Sequence, residues 1–308
     1  MQTNKDFQQH QGLLNGIGQV YFTPSLVTSV LLLFAISMES LPLALLTLLG
    51  ASCSYTLARG VYTFSHTNSK PNHHINSGMY ALNGALIALF IGNFFGVTPL
   101  LVVVTIFGAL LTVPIANIVF RLNKYRGYTS AFILIAWLIY ALQSSLALSV
   151  FSPSDSNRIP LMNIDVDSGT LLPTFILTIL KGISQVSFIN NEWTGLIILI
   201  AIALHSVKYA VWIVLAAVIS TLFSDMISAD DKLISQGLYG YNAILATLAL
   251  VLYPTRVTWQ LVIAGMLCSC LITLIFHRLE LIPLTAPFVL STWLMVYCSG
   301  KLQNPNVD

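Results

Sequence analysis

Long apolar runs separated by short polar breaks dominate this chain. Runs of near-spanning length fall at 17–37, 41–58, 78–95, 97–120 and 129–151, and then at 174–205, 207–223, 237–253, 257–276 and 281–299. A bilayer core about 30 Å thick takes roughly 20 apolar residues of helix, because backbone polar groups in lipid must pair within their own segment. The pattern predicts an all-α membrane protein with about five transmembrane helices in each of two halves. Some runs are short or punctuated, as between Gly78 and Gly96, and 174–205 is long enough to hold a half-spanning piece beside a full one. Residues 152–173, SPSDSNRIPLMNIDVDSGTLLP, are rich in Ser, Asp and Pro and cannot continue a buried helix. They predict a connector between a first half, 1–151, and a second, 174–308.

The halves repeat one another in sequence. GIGQVYF (16–22) returns as GISQVSF (182–188), and GMYALNGALIAL (78–89) as GLYGYNAILATL (237–248). FRLNKYRGYTSAFILIAWL (120–138) returns as HRLELIPLTAPFVLSTWL (277–294), aligning Thr129 with Thr285 and Phe132 with Phe288. Three matches in one order predict homologous halves. If each crosses the membrane an odd number of times, the second enters from the opposite side, and the halves are inverted about an axis in the membrane plane.

Composition agrees with the membrane assignment. Apolar residues make up 56% of the chain and charged residues 8%, against roughly 45–50% and about 25% in soluble domains. The charges cluster at Arg121, Lys124 and Arg126, at Asp225, Asp230, Asp231 and Lys232, and at Arg278 and Glu280, as water-facing turns would have them. A net charge of +2 without a basic stripe or a phosphate-cradling glycine loop excludes a nucleic-acid partner and gives no sign of nucleotide binding. The polar opening MQTNKDFQQHQ lacks a signal-peptide layout, so insertion by the first span is expected. Cys53, Cys268, Cys270 and Cys298 sit in apolar runs and read as small fillers; no metal site, cofactor or disulfide framework is expected.

Ion-coupled transporters commonly keep an ionisable group inside the span. Here Glu39, Glu192 and Lys208 fall at run edges, and His205 is the best internal candidate, read first as a structural histidine. The duplicated polar residues are neutral instead: Gln19 with Gln185, Asn83 with Asn242, Thr129 with Thr285. The asparagines, set among small residues, read as helix-to-helix glue that could hold a broken helix end in place. Phe22 follows Gln19 by three positions, as Phe188 follows Gln185, which on a helical turn sets each ring beside its amide. Amide and hydroxyl oxygens between flat apolar walls suit a small, planar, uncharged solute whose N–H groups would otherwise lose their acceptors.

With these three duplicated signatures, the last close to L-P-x-x-T-x-P-F, the sequence resembles the urea transporter family over nearly its whole length. The resemblance implies a homotrimer in a membrane lipid environment, with one pore per protomer between two inverted halves, passing urea without a cofactor. It implies that Gln19 and Gln185 bind the solute at outer and inner sites and that Thr129 and Thr285 guard the middle. Val20, Phe22, Leu82 and Leu86 would wall one slot, and Val186, Phe188, Tyr241 and Leu245 the other. Leu82 stands where the family commonly has an aromatic, so that slot is expected to be looser. The first threonine segment has Tyr125 and Arg126 in place of Leu-Pro and Ala131 in place of the later Pro, and Pro283 is displaced by one position, which bears on constriction width. A passive channel in a bacterial inner membrane is the expected function. A coupled transporter of a small amide or organic acid using His205 or Glu192 is the alternative, and a membrane amidase ranks last for want of a nucleophile beside a base.

Overall fold

The structure, a computed structural model, describes residues 12–65, 73–121, 126–146, 173–253 and 257–303. Every regular element among them is helical. Four helices are long and apolar enough to cross a membrane, Leu41–Thr63, Pro99–Val119, Val207–Met226 and Trp259–Arg278, and two bent helix pairs raise the number to six if each pair is one span. The chain divides into two compact units, Met1–Asp167 and Ser168–Asp308. Except for Pro173, the expected connector at 152–173 lies outside the described residues.

In the first unit, α1 (residues 12–18) tightens into a 3-10 turn at Gln19–Tyr21 and stops at Phe22. Phe22 N–H donates to the Gln19 carbonyl (3.0 Å) and Thr23 N–H to the Gly18 carbonyl (3.1 Å), the paired bonds of a Schellman cap. The left-handed position of that cap, usually glycine, is held by Phe22 at φ 57. Pro24 brings no donor to continue the ladder, and the chain restarts from Ser25 as α2 (Leu26–Glu39). The run read as one stretch over 17–37 is therefore two pieces bent by 68°. Next come α3 (Leu41–Ser65), the short α4 (His73–Asn76), α5 (Met79–Phe95), α6 (Pro99–Val119) and α7 (Ser130–Leu146). Every residue of α5 from Tyr80 to Gly92 is buried, as an all-round apolar sequence requires of a central helix. It can lie against α3 because both contribute glycine: a Cβ on Gly50 would fall 2.4 Å from the Gly84 carbonyl oxygen, and one on Gly84 2.2 Å from that of Gly50.

The second unit repeats the series. α8 (Thr174–Ser184) passes into a 3-10 turn at Gln185–Ser187, capped by Phe188 at φ 60, and α9 (Glu192–His205) leaves at 75°. The long run at 174–205 is thus broken in two. α10 (Val207–Met226), α11 (Asp231–Ser235), α12 (Gly240–Val251), α13 (Trp259–Arg278) and α14 (Ala286–Gln303) follow, with α12 buried from Gly240 to Leu250. Ser40 and Ser206 make equivalent one-residue extended breaks (φ −157 and −161) before α3 and α10. Two expected runs start too early: 237–239 and 281–285 are not part of α12 and α14. Gly237 explains the first, because at φ 72 it leaves the helical region and approaches Gly182 so closely that a Cβ would lie 2.2 Å from its nitrogen. Gly78 does the same against Gly16, at φ 82 and 2.3 Å.

The two turns are braced by one device with its parts exchanged. In the first unit Ser29 Oγ, on α2, accepts from Gly18 N–H (3.1 Å) and donates to the Ser25 carbonyl. In the second the hydroxyl is on the turn itself: Ser184 Oγ donates to the Ile189 carbonyl (2.8 Å). The facing position is glycine in each case, and a Cβ on Gly195 would lie 2.0 Å from the Leu180 carbonyl oxygen. Gly195→Ala is expected to cost about 1–3 kcal/mol through forced backbone displacement, seen as a lower thermal midpoint of the purified protein. An unchanged midpoint would show that α8 and α9 are not held this tightly.

Outward-facing positions are apolar. Phe34, Phe107 and Ile118 in the first unit and Leu204, Val207 and Ile275 in the second stand exposed, as lipid-facing positions on apolar helices do. Several buried hydroxyls bond to their own helix, as Thr47 does to the Leu43 carbonyl, Thr105 to Leu101 and Thr247 to Ala243, while Ser54 Oγ on α3 donates to the Ala109 carbonyl of α6 (2.7 Å). In lipid a bond within the helix satisfies the hydroxyl without a partner helix.

Candidate functional site

Three pieces of backbone converge on the duplicated residues in the first unit. Gln19, Val20 and Phe22 lie on the 3-10 turn; Leu82 and Leu86 lie on the first turns of α5; Thr129 precedes α7. Gln19 Nε2 donates to the Ser77 carbonyl (3.0 Å), tying the turn to the approach of α5. A carbonyl partner can only take the amide N–H, so the Gln19 amide is oriented with Oε1 left as an acceptor. Asn83 then ties α5 to α7: its Nδ2 donates to the Met79 carbonyl (2.9 Å) and its Oδ1 accepts from Phe132 N–H (2.9 Å). Phe132 is the third residue of α7, so Asn83 supplies from another helix the cap that a local side chain usually gives.

The second unit builds the same locus. Gln185 and Val186 are buried on the turn, Leu245 is buried on α12, and Thr285 precedes α14 with no exposed surface. Asn242 Nδ2 donates to the Leu284 carbonyl (3.1 Å) and its Oδ1 accepts from Phe288 N–H (3.2 Å). Tyr241 Oη donates to the same Leu284 carbonyl (2.6 Å). The glue role expected of the asparagines is what their bonds perform, at the ends of α7 and α14. The start of α14 keeps little spare donor capacity: beside Asn242, Pro287 has no N–H, and Ala286 N–H is used by the Pro283 carbonyl. It therefore does not resemble the open amide cradle that binds anions.

Each unit thus carries its own set on elements that touch: Gln19, Val20, Phe22, Leu82, Leu86 and Thr129 on the first turn, α5 and the approach to α7; Gln185, Val186, Phe188, Tyr241, Leu245 and Thr285 on the second turn, α12 and the approach to α14. Sequence reasoning missed Tyr128. It is buried at φ 43, and its ring stands 5.9 Å from that of Phe22, edge to face. The available signal was a double mismatch: Leu82 and Tyr128 align with Tyr241 and Leu284, so each unit has one aromatic, at opposite members of the pair.

Charge stays at the margins. His205, expected inside the span, is exposed on the last turn of α9 with its ring 5.9 Å from Tyr209. Glu192 opens α9, where the helix dipole favours an acid, and lies 4.0 Å from Lys181. His74, outside the spans, stacks on Phe120 at 4.6 Å; burial first, then His73 and Arg126, holds its pKa below the ordinary value. Among the described residues no three His, Cys, Asp or Glu side chains cluster as a metal site would need.

The family profile described as urea transporter matches residues 10–297. Over 135 residues, 41% of this chain and 35% of each relative, the sequence is 29% identical to Urea transporter 1 of Rattus norvegicus and 27% identical to that of Mus musculus. Over 82 residues, 27% of this chain and 21% of the relative, it is 33% identical to Urea transporter 1 of Ovis aries. The matched part spans about a third of the length of those curated relatives, 35% in the first two. With the profile covering both duplicated sites and the helices between them, the chain belongs to the urea transporter family of multi-pass membrane proteins, transport proteins rather than enzymes.

Proposed function

We propose that this chain is a passive channel for urea. Urea is flat, uncharged and rich in N–H, and stripping its water without replacement would cost several kcal/mol. Gln19 and Gln185 accept its amide protons at two sites, and Val20, Phe22, Leu82 and Leu86, with Val186, Phe188, Tyr241 and Leu245, take its faces. Thr129 and Thr285 offer hydroxyls between them. The observation that carries this reading is the twofold recurrence, in a member of the family, of one neutral locus: a glutamine turn bonded or buried beside one helix whose asparagine caps the start of the next.

The two units act as inverted halves of about five spans each, each bent pair counting as one, and one pore runs through each protomer of a homotrimer. Family membership and the repeated order of elements support this arrangement. Helical spans also favour an inner membrane over an outer one, where barrels prevail. An ion-coupled mechanism through His205 or Glu192 has less support, since one is exposed and the other faces Lys181 at 4.0 Å.

Stopped-flow light scattering on proteoliposomes tests the proposal. Urea influx is expected to exceed that of empty vesicles and to be indifferent to imposed proton or sodium gradients. Because none of the residues assigned to the two sites is a histidine or a carboxylate, it is also expected to be flat across about pH 6–8. Influx equal to that of empty vesicles would end the proposal, and gradient-driven accumulation would replace it with the coupled one.

A further inference from the structure

The exchange of Leu and Tyr between the units has a consequence for selectivity. In the second unit Tyr241 leaves α12 toward the start of α14, where its hydroxyl meets the Leu284 carbonyl at 2.6 Å. Positions 241 and 284 are therefore neighbours. The first unit has the same backbone at the matching places: Tyr128 and Leu284 share a left-handed conformation, φ 43 and 45, and Asn83 and Asn242 make equivalent bonds, 2.9 and 3.2 Å, to the third residue of the following helix. All four side chains, Leu82, Tyr128, Tyr241 and Leu284, are buried. Large residues in the left-handed region store strain, and such strain gathers at functional sites. Of the six non-glycine residues with positive φ among those described, Phe22, Tyr128, Phe188 and Leu284 belong to these two loci.

We propose that Tyr128 is a specificity-determining residue of the first urea site, its ring supplying from the start of α7 the aromatic wall that Tyr241 supplies from α12 in the second. This rests on the urea-channel reading above and deepens it. Leu82 alone leaves the slot with only one flat side, Phe22. Tyr128, edge-on to Phe22 at 5.9 Å and an interplanar angle of 67°, closes the corner and restricts the passage to thin planar solutes. The first slot is therefore as aromatic as the second, and the looseness expected from Leu82 alone is offset.

Permeation of urea and of N-methylurea through proteoliposomes tests this, with wild type measured first. Tyr128→Leu is expected to slow urea about three- to tenfold, the worth of one aromatic contact, and to raise the methylurea-to-urea ratio. The double variant Leu82→Tyr with Tyr128→Leu, which recreates the pairing of the second unit, is expected to return both towards wild type. Unaltered flux and ratio in Tyr128→Leu would overturn the inference while leaving the channel standing, and so would a loss that the double variant fails to restore. If Tyr128→Leu does not accumulate, the double variant decides alone: wild-type discrimination supports the assignment and an altered ratio overturns it. A wild type that passes no urea removes the function and this inference together.

Discussion

Gln19→Ala and Gln185→Ala are each expected to slow urea permeation by about ten- to a hundredfold with protein yield near normal. Each change withdraws an acceptor that a desolvated N–H of the solute needs. A buried polar group left unmatched costs about 1–3 kcal/mol, and each 1.36 kcal/mol on a barrier is about tenfold in rate. The fold has little to lose by comparison. Phe22 N–H and Thr23 N–H close the first turn on the backbone carbonyls of Gln19 and Gly18, and alanine keeps a backbone carbonyl at position 19. Only the bond from Gln19 Nε2 to the Ser77 carbonyl disappears, at about 1 kcal/mol. Urea flux of a variant carrying both changes, normalised to incorporated protein, is the measurement. Wild-type flux would remove the glutamines from the path, and failure to fold would place them with the asparagines as residues that hold helices together.

The sequence allowed the membrane class and the duplicated residues to be found because both rest on identity and composition, which need no three-dimensional context. It hid the breaks. The run at 17–37 contains Pro24, but nothing in its apolar letters marks Phe22 as taking a left-handed cap that glycine normally fills; that conformation is imposed by packing around the turn. The braces were hidden for another reason. Gly18 with Ser29 and Ser184 with Gly195 look unrelated when positions are matched singly, because the hydroxyl and the vacancy have changed places. Tyr128 escaped in the same way: a compensating exchange between two positions is visible only once their neighbours are known. His205 is exposed on the last turn of α9 because the chain breaks at Ser206, an extended residue that the adjoining apolar runs do not mark.

Asn83→Ala together with Asn242→Ala is expected to give the opposite signature, a fall in folded protein greater than any fall in flux per molecule. Each asparagine reaches from one helix to the start of another through its oxygen, which accepts from the backbone N–H of Phe132 or Phe288, while the Asn83 Nδ2 holds the Met79 carbonyl of its own helix and the Asn242 Nδ2 the Leu284 carbonyl. Alanine withdraws that acceptor and the bond across to the second helix, at about 1 kcal/mol or more per site, and the two losses add when sites are far enough apart not to couple. In the second unit Tyr241 Oη still serves the Leu284 carbonyl, so the bond lost there is the one from Phe288 N–H to the Asn242 oxygen. A neutral Asp carboxyl keeps an accepting oxygen for the Phe288 N–H and an O–H donor for the Leu284 carbonyl, so Asn242→Asp is expected to fold better than Asn242→Ala at a pH where the carboxyl is neutral. Monodisperse yield in detergent and thermal midpoint measure the first effect; normalised urea flux measures the second. Full yield with flux abolished would move the asparagines from the frame into the pore and reverse the division of labour between amides at the turn and amides at the helix ends.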